Sequence, residues 1–435
     1  MQDRRNFLKR GGAAAMATGL AAAFTPASYA RIVGANDRVH VAVAGVRSRG
    51  AKVAQGFAQV GADVAQVYDV DSRVEAKILK TMADDGYPVP VFGKDFRSAL
   101  DDKHIDVLAI ATPDHWHAPA ALMAMAAGKH VYVEKPCGHN VSESAMLVAA
   151  QQKTGLHVQM GNQQRSAPET QELVARIRAG ELGEIYRVDT FYANARKPLP
   201  PASPAAIPDW LDWELWQGPA PRREFEKPWV HYNWHWSWHW GTGEVCNNGA
   251  HELDIARWII GARHPEQVSV QASRRFQGEG AWEMYDTMEA AFLYPGGVKV
   301  VWDGSSCNKV ERRGRGRGTL AYGTKGSVLV DRGGYELYDL AGKLTYDSKE
   351  GGKGSESMLT PLHTRNLMEV IQGKQGALNS PISEGAISTD MCHLANIAYR
   401  AGTDLTIDPA TGAVAQLVAA QYLGRDYEAG WMPVI

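Results

Sequence analysis

The stretch that decides the fold is Val39-His40-Val41-Ala42-Val43-Ala44-Gly45-Val46-Arg47-Ser48-Arg49-Gly50. Its apolar first half predicts a buried β-strand, and Gly45 and Gly50 frame a tight turn before a helix with small residues. A second apolar strand, residues 64–68, ends at Asp69. A strand, a glycine turn, a helix and a carboxylate roughly 20 residues further on form the layout of a dinucleotide-binding site.

The glycine turn departs from the usual fingerprint, because Arg47 occupies the position of its middle glycine. We expect Arg47, Ser48 or Arg49 to donate hydrogen bonds to the cofactor phosphates, since guanidinium groups suit that geometry. Asp69 is expected to accept hydrogen bonds from the adenosine ribose. Its charge would repel a 2′-phosphate, which favours NAD over NADP as the cofactor.

Two later strands also end in polar residues. Residues 105–111 and residues 131–133 are both apolar, and each is followed by groups suited to ligand binding. Ligands of open α/β sheets bind just beyond such carboxyl ends, so one cleft should receive both sets. The cofactor candidates here are Thr112, Pro113, His117, Glu134 and Lys135. Asn162, after a further strand, could line the same cleft or form a structural turn.

A helix predicted to begin near residue 250 carries the candidate site residues of the second half of the chain. His251, Asp254 and Arg257 are three residues apart and share one helix face. His251 can serve as a general acid–base, or it can be a helix-terminal histidine with structural partners. Asp254 can bind substrate, or it can pair with Arg257 for structure alone.

These motifs together resemble the Gfo/Idh/MocA oxidoreductases. The resemblance rests on Thr112-Pro113 with His117, and on residues 127–136, Ala-Gly-Lys-His-Val-Tyr-Val-Glu-Lys-Pro. It implies a nicotinamide-dependent enzyme acting on a sugar or polyol. It also implies a homo-oligomer, a dimer or tetramer formed through an open sheet face.

The resemblance further implies roles for individual residues. Glu134 would hydrogen-bond near the nicotinamide ribose, and Lys135 would contact the substrate oxygen. His251 matches the family histidine, and Asp254 matches the last carboxylate of its motif. Asn247 stands where the family has aspartate, so it can position a substrate hydroxyl but supplies no charge.

An aromatic segment, residues 227–240, contains five tryptophans, one tyrosine and three histidines. Aromatic faces stack on the C–H faces of sugars, so Trp234, His235 and Trp238 are candidate carbohydrate contacts, although indoles are often core residues. Histidine recurs every fourth residue here, but no carboxylate or cysteine completes a metal site, and none is predicted. The preceding proline-bounded stretch, residues 208–221, is predicted to be a packed, extended connection.

The chain divides into a signal, residues 1–30, an NAD-binding Rossmann domain, residues 31–158, and a substrate-binding and oligomerisation domain, residues 159–435. The fold class is α/β: a doubly wound first domain and an α+β second domain with a large, mostly antiparallel open sheet. Short strand-like segments separated by turns predict that second sheet, within residues 184–193 and 267–338. Helices near residues 363–372 and 384–402 are expected to pack back across the domains.

The first thirty residues carry an export signal. Arg4-Arg5 is followed by Phe7-Leu8-Lys9, then by an apolar stretch and the small-x-small site Ser28-Tyr29-Ala30. The apolar stretch is shorter than the roughly 20 residues that span a bilayer, and no later segment resembles a span. We expect transport by the twin-arginine translocase to the periplasm, where a dinucleotide enzyme must retain its cofactor.

Three functions fit the sequence. The first is a periplasmic NAD(P)-dependent oxidoreductase for a sugar, polyol or glycoside, with tightly held cofactor. The second is an NAD-dependent glycosidase that oxidises, eliminates and reduces, similar to the exported α-N-acetylgalactosaminidases. The third is a carbohydrate-binding protein without catalysis, which intact Glu134, Lys135 and His251 argue against.

Composition excludes other classes of partner. The net charge of −2 shows no large basic field for nucleic acid. The one basic cluster, residues 312–317, alternates arginine with glycine and is predicted to be a solvated or lid-like loop. The four cysteines are scattered and favour buried free thiols, with a disulfide left open.

Overall fold

A computed structural model describes residues 38–349 and 354–433. The predicted signal, residues 1–30, lies outside these described residues. Within them, no helix combines the length and the apolar character needed to cross a membrane.

The first sheet has six parallel strands in the order β3-β2-β1-β4-β5-β6. These strands are β1 (His40–Ala44), β2 (Asp63–Tyr68), β3 (Val91–Gly93), β4 (Val107–Ile110), β5 (His130–Val133) and β6 (Val158–Met160). Val41, Val43 and Leu108 have no exposed surface, because helices cover both faces of a parallel sheet. The strand order reverses between β1 and β4, which opens the crevice where such folds bind ligands. The predicted Rossmann fold is confirmed.

The described residues form ten α-helices. They are α1 (Arg49–Gln59), α2 (Glu75–Asp84), α3 (Arg97–Asp101), α4 (Asp114–Ala126), α5 (Val141–Thr154), α6 (Pro168–Arg178), α7 (Trp213–Gln217), α8 (Ala250–Ile260), α9 (Leu359–Ile371) and α10 (Ile382–Ala401). A π-helical turn, Val245–Gly249, runs directly into α8. Such turns often occur at functional sites, and this one carries Asn247.

The second sheet has nine strands in the order β16-β15-β14-β13-β7-β12-β11-β10-β17. They are β7 (Ile185–Ala193), β10 (Gln267–Ser273), β11 (Thr287–Leu293), β12 (Lys299–Ser305), β13 (Arg317–Gly323), β14 (Gly326–Asp331), β15 (Gly334–Tyr338), β16 (Leu344–Asp347) and β17 (Leu405–Thr406). β7 pairs in parallel with β12, and the remaining pairs are antiparallel. The predicted mostly antiparallel sheet is therefore confirmed, with β16 and β17 as short edge strands that the sequence did not reveal.

The C-terminal helices pack on both sheets. Leu367 of α9 shares a core cluster with Phe57 of α1. At its start, α10 buries Ile382 in the core of the first sheet, and further along it buries Leu394 in the core of the second. These helices therefore join the two halves of the chain, as their sequence position predicted.

Residues 203–240, which we call the covering segment, leave the second domain and reach back over the first. A two-stranded ribbon, β8 (Ser203–Pro204) with β9 (Glu226–Lys227), closes part of it. The prediction of an extended connection over residues 208–221 is wrong in part. Asp212 accepts a hydrogen bond from the Leu215 backbone N–H at 3.0 Å and starts the short helix α7.

The covering segment contains a small core of its own and a seam with the first domain. The core consists of Leu211, Trp213, Trp216, Ala220, Phe225 and Trp240. In the seam, the Asp212 backbone N–H donates to the Val70 carbonyl at 3.0 Å, and the Ser72 N–H donates to the Trp210 carbonyl at 2.9 Å. The segment thus lies beside the end of β2.

Candidate active site between the two sheets

A cleft of about 370 Å³ opens at the carboxyl ends of the first sheet and the start of α8. That volume falls in the range of ligand-binding pockets. Most of the predicted site residues line it: Gly45, Arg47, Ser48, Arg49, Asp69, Thr112, Pro113, His117, Glu134, Lys135, Trp234, His235, Asn247 and His251. Both halves of the chain therefore contribute to one cavity.

The glycine turn requires its glycines for steric reasons. Gly45 has a φ of +82°, and a Cβ there would lie 2.6 Å from the Ala111 carbonyl oxygen. A Cβ at Gly50 would lie 1.8 Å from the Gly45 carbonyl oxygen. Gly50 does not line the cleft itself; it lets α1 begin close against the turn.

The start of α1 presents an anion-binding surface to the cleft. Arg47 and Ser48 are exposed there, and the first turn of the helix contains no acidic residue. Backbone N–H groups and the positive end of the helix dipole favour a phosphate at this position. The residues present therefore fit the pyrophosphate of a dinucleotide.

Asp69 is held at the end of β2. Its carboxylate accepts hydrogen bonds from the backbone N–H groups of Val46 at 2.9 Å and Asp71 at 3.0 Å. Burial raises the pKa of Asp69 to about 6, against the lowering effect of these hydrogen bonds. A carboxylate fixed at this edge of the first sheet fits the role predicted for Asp69, which is to accept hydrogen bonds from the adenosine ribose.

Glu134 forms the centre of a buried hydrogen-bond network. It accepts from Arg49 Nε at 2.7 Å, from Gln163 Nε2 at 2.8 Å and from the Tyr132 hydroxyl at 3.1 Å. Burial acts to raise the pKa of Glu134, but the charges of Arg49 and Lys135 outweigh it and hold the pKa below the usual value. Glu134 is therefore an ionised group fixed in the wall of the cleft.

Lys135 crosses from the first domain to the second. Its Nζ donates to the backbone carbonyl of Asn247, in the π-helical turn, at 2.7 Å. Burial lowers the pKa of Lys135, and the nearby carboxylates of Asp114 and Glu134 oppose this effect. The ammonium group is thus placed in the cleft by a main-chain contact.

His251 lies at the start of α8 and faces the same cleft, with 7% of its surface exposed. Burial lowers the pKa of His251 well below its usual value, and the charges of Arg332 and Lys135 lower it further. The imidazole is therefore neutral near pH 7 and can accept a proton. Asn247, three residues before the start of α8, donates through Nδ2 to Glu244 at 3.3 Å.

Besides Gly50, three of the predicted site residues lie outside the cleft. Asp254 is bound by Arg165 at 2.8 Å and by Ser388 at 2.6 Å and does not line the cleft, so the structure gives no support to the substrate role expected of it. Its predicted pairing with Arg257 is wrong, because Arg257 pairs with Glu384 at 2.7 Å.

Trp238 and Asn162 are the other two. Trp238 stacks on Tyr399, with ring centroids 6.2 Å apart, and lies under the guanidinium of Arg400. Asn162 is 2% exposed and follows β6 without reaching the cleft lining. Of the alternatives open for Asn162, the structure fits the turn: its carbonyl accepts from the Arg165 backbone N–H at 3.0 Å.

Sequence reasoning missed two arginines that line the cleft. Arg317 belongs to the basic cluster but begins β13 and turns inward, where its Nη2 lies 2.6 Å from Glu252. Arg312 and Arg315 of the same cluster instead pair with Asp303 and Glu336. The second, Arg332, lies in the turn between β14 and β15, where no motif marks it.

The three regularly spaced histidines separate in the structure. His231 Nε2 lies 2.7 Å from Asp71, His235 Nδ1 lies 2.5 Å from the Tyr232 carbonyl, and His239 Nε2 lies 2.9 Å from the Pro221 carbonyl. No group of three or more His, Cys, Asp or Glu in the described part of the chain could hold a metal ion. All four cysteines are free thiols.

Comparison with known proteins agrees with this geometry. Residues 39–162 match the oxidoreductase family with an NAD-binding Rossmann fold, and residues 190–326 match the C-terminal α/β domain of the same family. A glycosyl hydrolase family 109 protein of Saccharopolyspora erythraea is 34% identical over 186 residues, 40% of each chain. Another, from Shewanella sp. strain ANA-3, is 31% identical over 210 residues, 44% of this chain and 46% of the relative.

The match thus spans under half the length of these relatives. Levoglucosan dehydrogenase, in complex with NADH and L-sorbose, shares the fold with a TM-score of 0.67 at 17% identity, covering 86% of this chain and 99% of that one. Both family matches fall in order on the two sheets described above, and together they include Lys135 and His251. The chain belongs to the Gfo/Idh/MocA oxidoreductase family, with an NAD-binding Rossmann domain followed by its C-terminal α/β domain.

Proposed function

We propose that this protein transfers a hydride between NAD and a carbon of a sugar, polyol or glycoside, with Lys135 and His251 sharing the substrate oxygen. The observation that carries the proposal is that these two groups, one from each domain, face one cleft beside the glycine turn. NAD, when bound, supplies the hydride acceptor or donor. Its phosphates fit the start of α1, and its adenosine ribose fits Asp69.

His251 and Lys135 have different roles at the substrate oxygen. Neutral His251 accepts the proton of the substrate hydroxyl as the carbon is oxidised. The Lys135 ammonium donates a hydrogen bond to the same oxygen and stabilises its developing negative charge. In reduction, the protonated His251 returns the proton.

The replacement of the family aspartate by Asn247 fits this scheme. The contact that holds Lys135 comes from the backbone carbonyl of residue 247, which any side chain would leave in place. His251 does not need a neighbouring carboxylate to act as a base, because it is already neutral. The Asn247 side chain is left to position a substrate hydroxyl.

The covering segment supports a sugar substrate. Trp234 and His235 line the cleft and stack on each other, with ring centroids 3.6 Å apart. Trp216 also lines the cleft, with 2% of its surface exposed. Such flat apolar faces suit the C–H faces of a sugar ring, while the carboxylates and amides beneath suit its hydroxyls.

The same segment supports a retained cofactor. His231 reaches from it to Asp71, two residues beyond the ribose carboxylate Asp69, and the seam at Val70 and Ser72 closes beside that point. We propose that the cofactor end of the cleft is covered, and that NAD leaves slowly. Slow release of NAD fits export of a folded, cofactor-loaded protein. We propose that the twin-arginine translocase carries the protein to the periplasm, and that the protein forms a dimer or a tetramer.

A second candidate is an NAD-dependent glycosidase, favoured by the names of the family 109 relatives. Oxidation of a ring carbon acidifies the neighbouring C–H. Loss of that proton breaks the glycosidic bond and expels the aglycone, water adds to the resulting double bond, and the oxidised carbon is reduced again. This sequence ends with the cofactor in its starting state. It uses the same Lys135 and His251.

One experiment separates these functions. The purified protein is denatured to identify the released nucleotide, and the native protein is offered free sugars and aryl glycosides without added NAD. A lasting change in absorbance of the bound cofactor supports the oxidoreductase, whereas release of sugar with no net change supports the glycosidase. A protein that holds no NAD and acts on neither would refute both.

Variants assign the roles. Lys135→Ala and His251→Ala should each lower turnover by more than about 100-fold, because each removes a group acting on the reacting oxygen. Lys103→Ala and His104→Ala provide matched controls, since both residues are exposed and distant from the cleft. Near-normal turnover in either site variant would contradict the assignment.

A further inference from the structure

We infer that the substrate carries a carboxylate and that Arg332 binds it. The inference rests on the proposed function, since it names the substrate class of the same cleft. Arg332 lies in the turn between β14 and β15 and lines the cavity together with His251 and Lys135. A sugar acid is therefore preferred to the neutral sugar of the same ring.

Arg332 forms no ion pair with a carboxylate in the part of the chain that the structure describes. Its Nε is buried and has no hydrogen-bond partner among the described residues. The adjacent Asp331 is already engaged, by Lys349 Nζ at 2.9 Å and by Arg315 Nη1 at 3.0 Å. A guanidinium group with a buried Nε that has no hydrogen-bond partner is costly, so a ligand charge at this position stabilises the site.

Three carboxylates in or beside the cleft are committed to other groups. Glu134 is paired with Arg49 at 2.7 Å, Glu252 with Arg317 at 2.6 Å, and Asp114 accepts from the Thr242 hydroxyl. None of them forms an ion pair with Arg332, and burial lowers the pKa of Arg332 to about 10 against the opposing charges of Glu252 and Glu134. The planar guanidinium fork matches the two oxygens of a carboxylate, which makes that group the fitting ligand.

The position of Arg332 separates this anion from the cofactor phosphates. The phosphates fit the start of α1 at Arg47 and Ser48, in the first domain. Arg332 comes from the second sheet, and its charge acts on His251, the pKa of which is lowered first by burial and then by Arg332. A substrate carboxylate would screen that charge and make His251 a stronger base.

The test compares three hexuronates, glucuronate, galacturonate and mannuronate, with glucose, galactose and mannose on the NAD-loaded protein. Calorimetry measures each affinity for the wild type, Arg332→Gln and the control Arg312→Gln. Arg312 belongs to the basic cluster and pairs with Asp303 outside the cleft. We expect at least one hexuronate to bind about 10- to 100-fold more tightly than its hexose.

That preference should vanish in Arg332→Gln and persist in Arg312→Gln. The inference is overturned if no hexuronate is preferred by the wild type, or if Arg332→Gln keeps the preference. It is also overturned if Arg332→Gln loses affinity for NAD itself, which would assign the arginine to the cofactor. The proposed function fails separately, when the bound cofactor undergoes no turnover with any sugar or glycoside.

Discussion

Replacing Asp254 with alanine separates a structural role from a substrate contact. The change leaves the guanidinium of Arg165 buried without its carboxylate, where the two side chains now meet at 2.8 Å and are 4% and 1% exposed. Breaking such a pair costs about 3–5 kcal/mol. For a chain of this size the entropy of unfolding is roughly 0.8 kcal/mol/K, so Tm should fall by about 4–6 °C.

Thermal unfolding of the NAD-loaded variant measures this loss, and kinetics at 25 °C measure the site. KM for the sugar should stay within about twofold of the wild type, because Asp254 does not reach the cleft. The double variant Arg165→Met/Asp254→Leu should recover most of the stability, since it removes both charges. An unchanged Tm with a strongly raised KM would refute the reasoning and return Asp254 to the substrate.

Two further predictions concern the cofactor turn and the base. Gly50→Ala should abolish copurified NAD, because the new Cβ would lie 1.8 Å from the Gly45 carbonyl oxygen. The control Gly376→Ala should retain NAD, because a Cβ there has no neighbour within 4 Å. The nucleotide released on denaturation of each variant is the measurement. The pKa of His251 lies well below 6.5, so sugar oxidation should stay level from about pH 8 to about pH 6. As the pH falls, His251 is protonated in the unfolded chain before it is protonated in the folded protein. Its contribution to the free energy of unfolding is therefore complete above about pH 6.5 and is lost below about pH 6.5. A pH–rate profile that falls with an apparent pKa near 6.5 would contradict the neutral base.

The features that could be predicted depend on short-range chemistry. Gly45 and Gly50 are required by the backbone of one turn, and that turn follows directly from an apolar strand. Glu134 and Lys135 follow a strand end in the same way. Parallel strands bring such ends to one edge, so the sequence sufficed to place these residues in one cleft.

The failures depend on contacts between distant parts of the chain. Helical spacing suggested Arg257 as the partner of Asp254, but the actual partner, Arg165, is 89 residues away. Arg332 occupies a tight turn, and its importance arises from the carboxylates around it being already paired. Trp238 looked like its aromatic neighbours, and only the packing of Tyr399 against it decides its position.

The arrangement of α9 has a consequence for biosynthesis. Arg49, at the start of α1, donates through Nη1 to the Thr360 hydroxyl at 3.0 Å, and Leu367 belongs to the same core cluster as Phe57. The ribosome makes Thr360 more than three hundred residues after Arg49, so the first domain emerges with one face still uncovered. The Thr360 contact to Arg49 and the packing of Leu367 on Phe57 therefore form only after α9 has been made and has folded back onto the first domain.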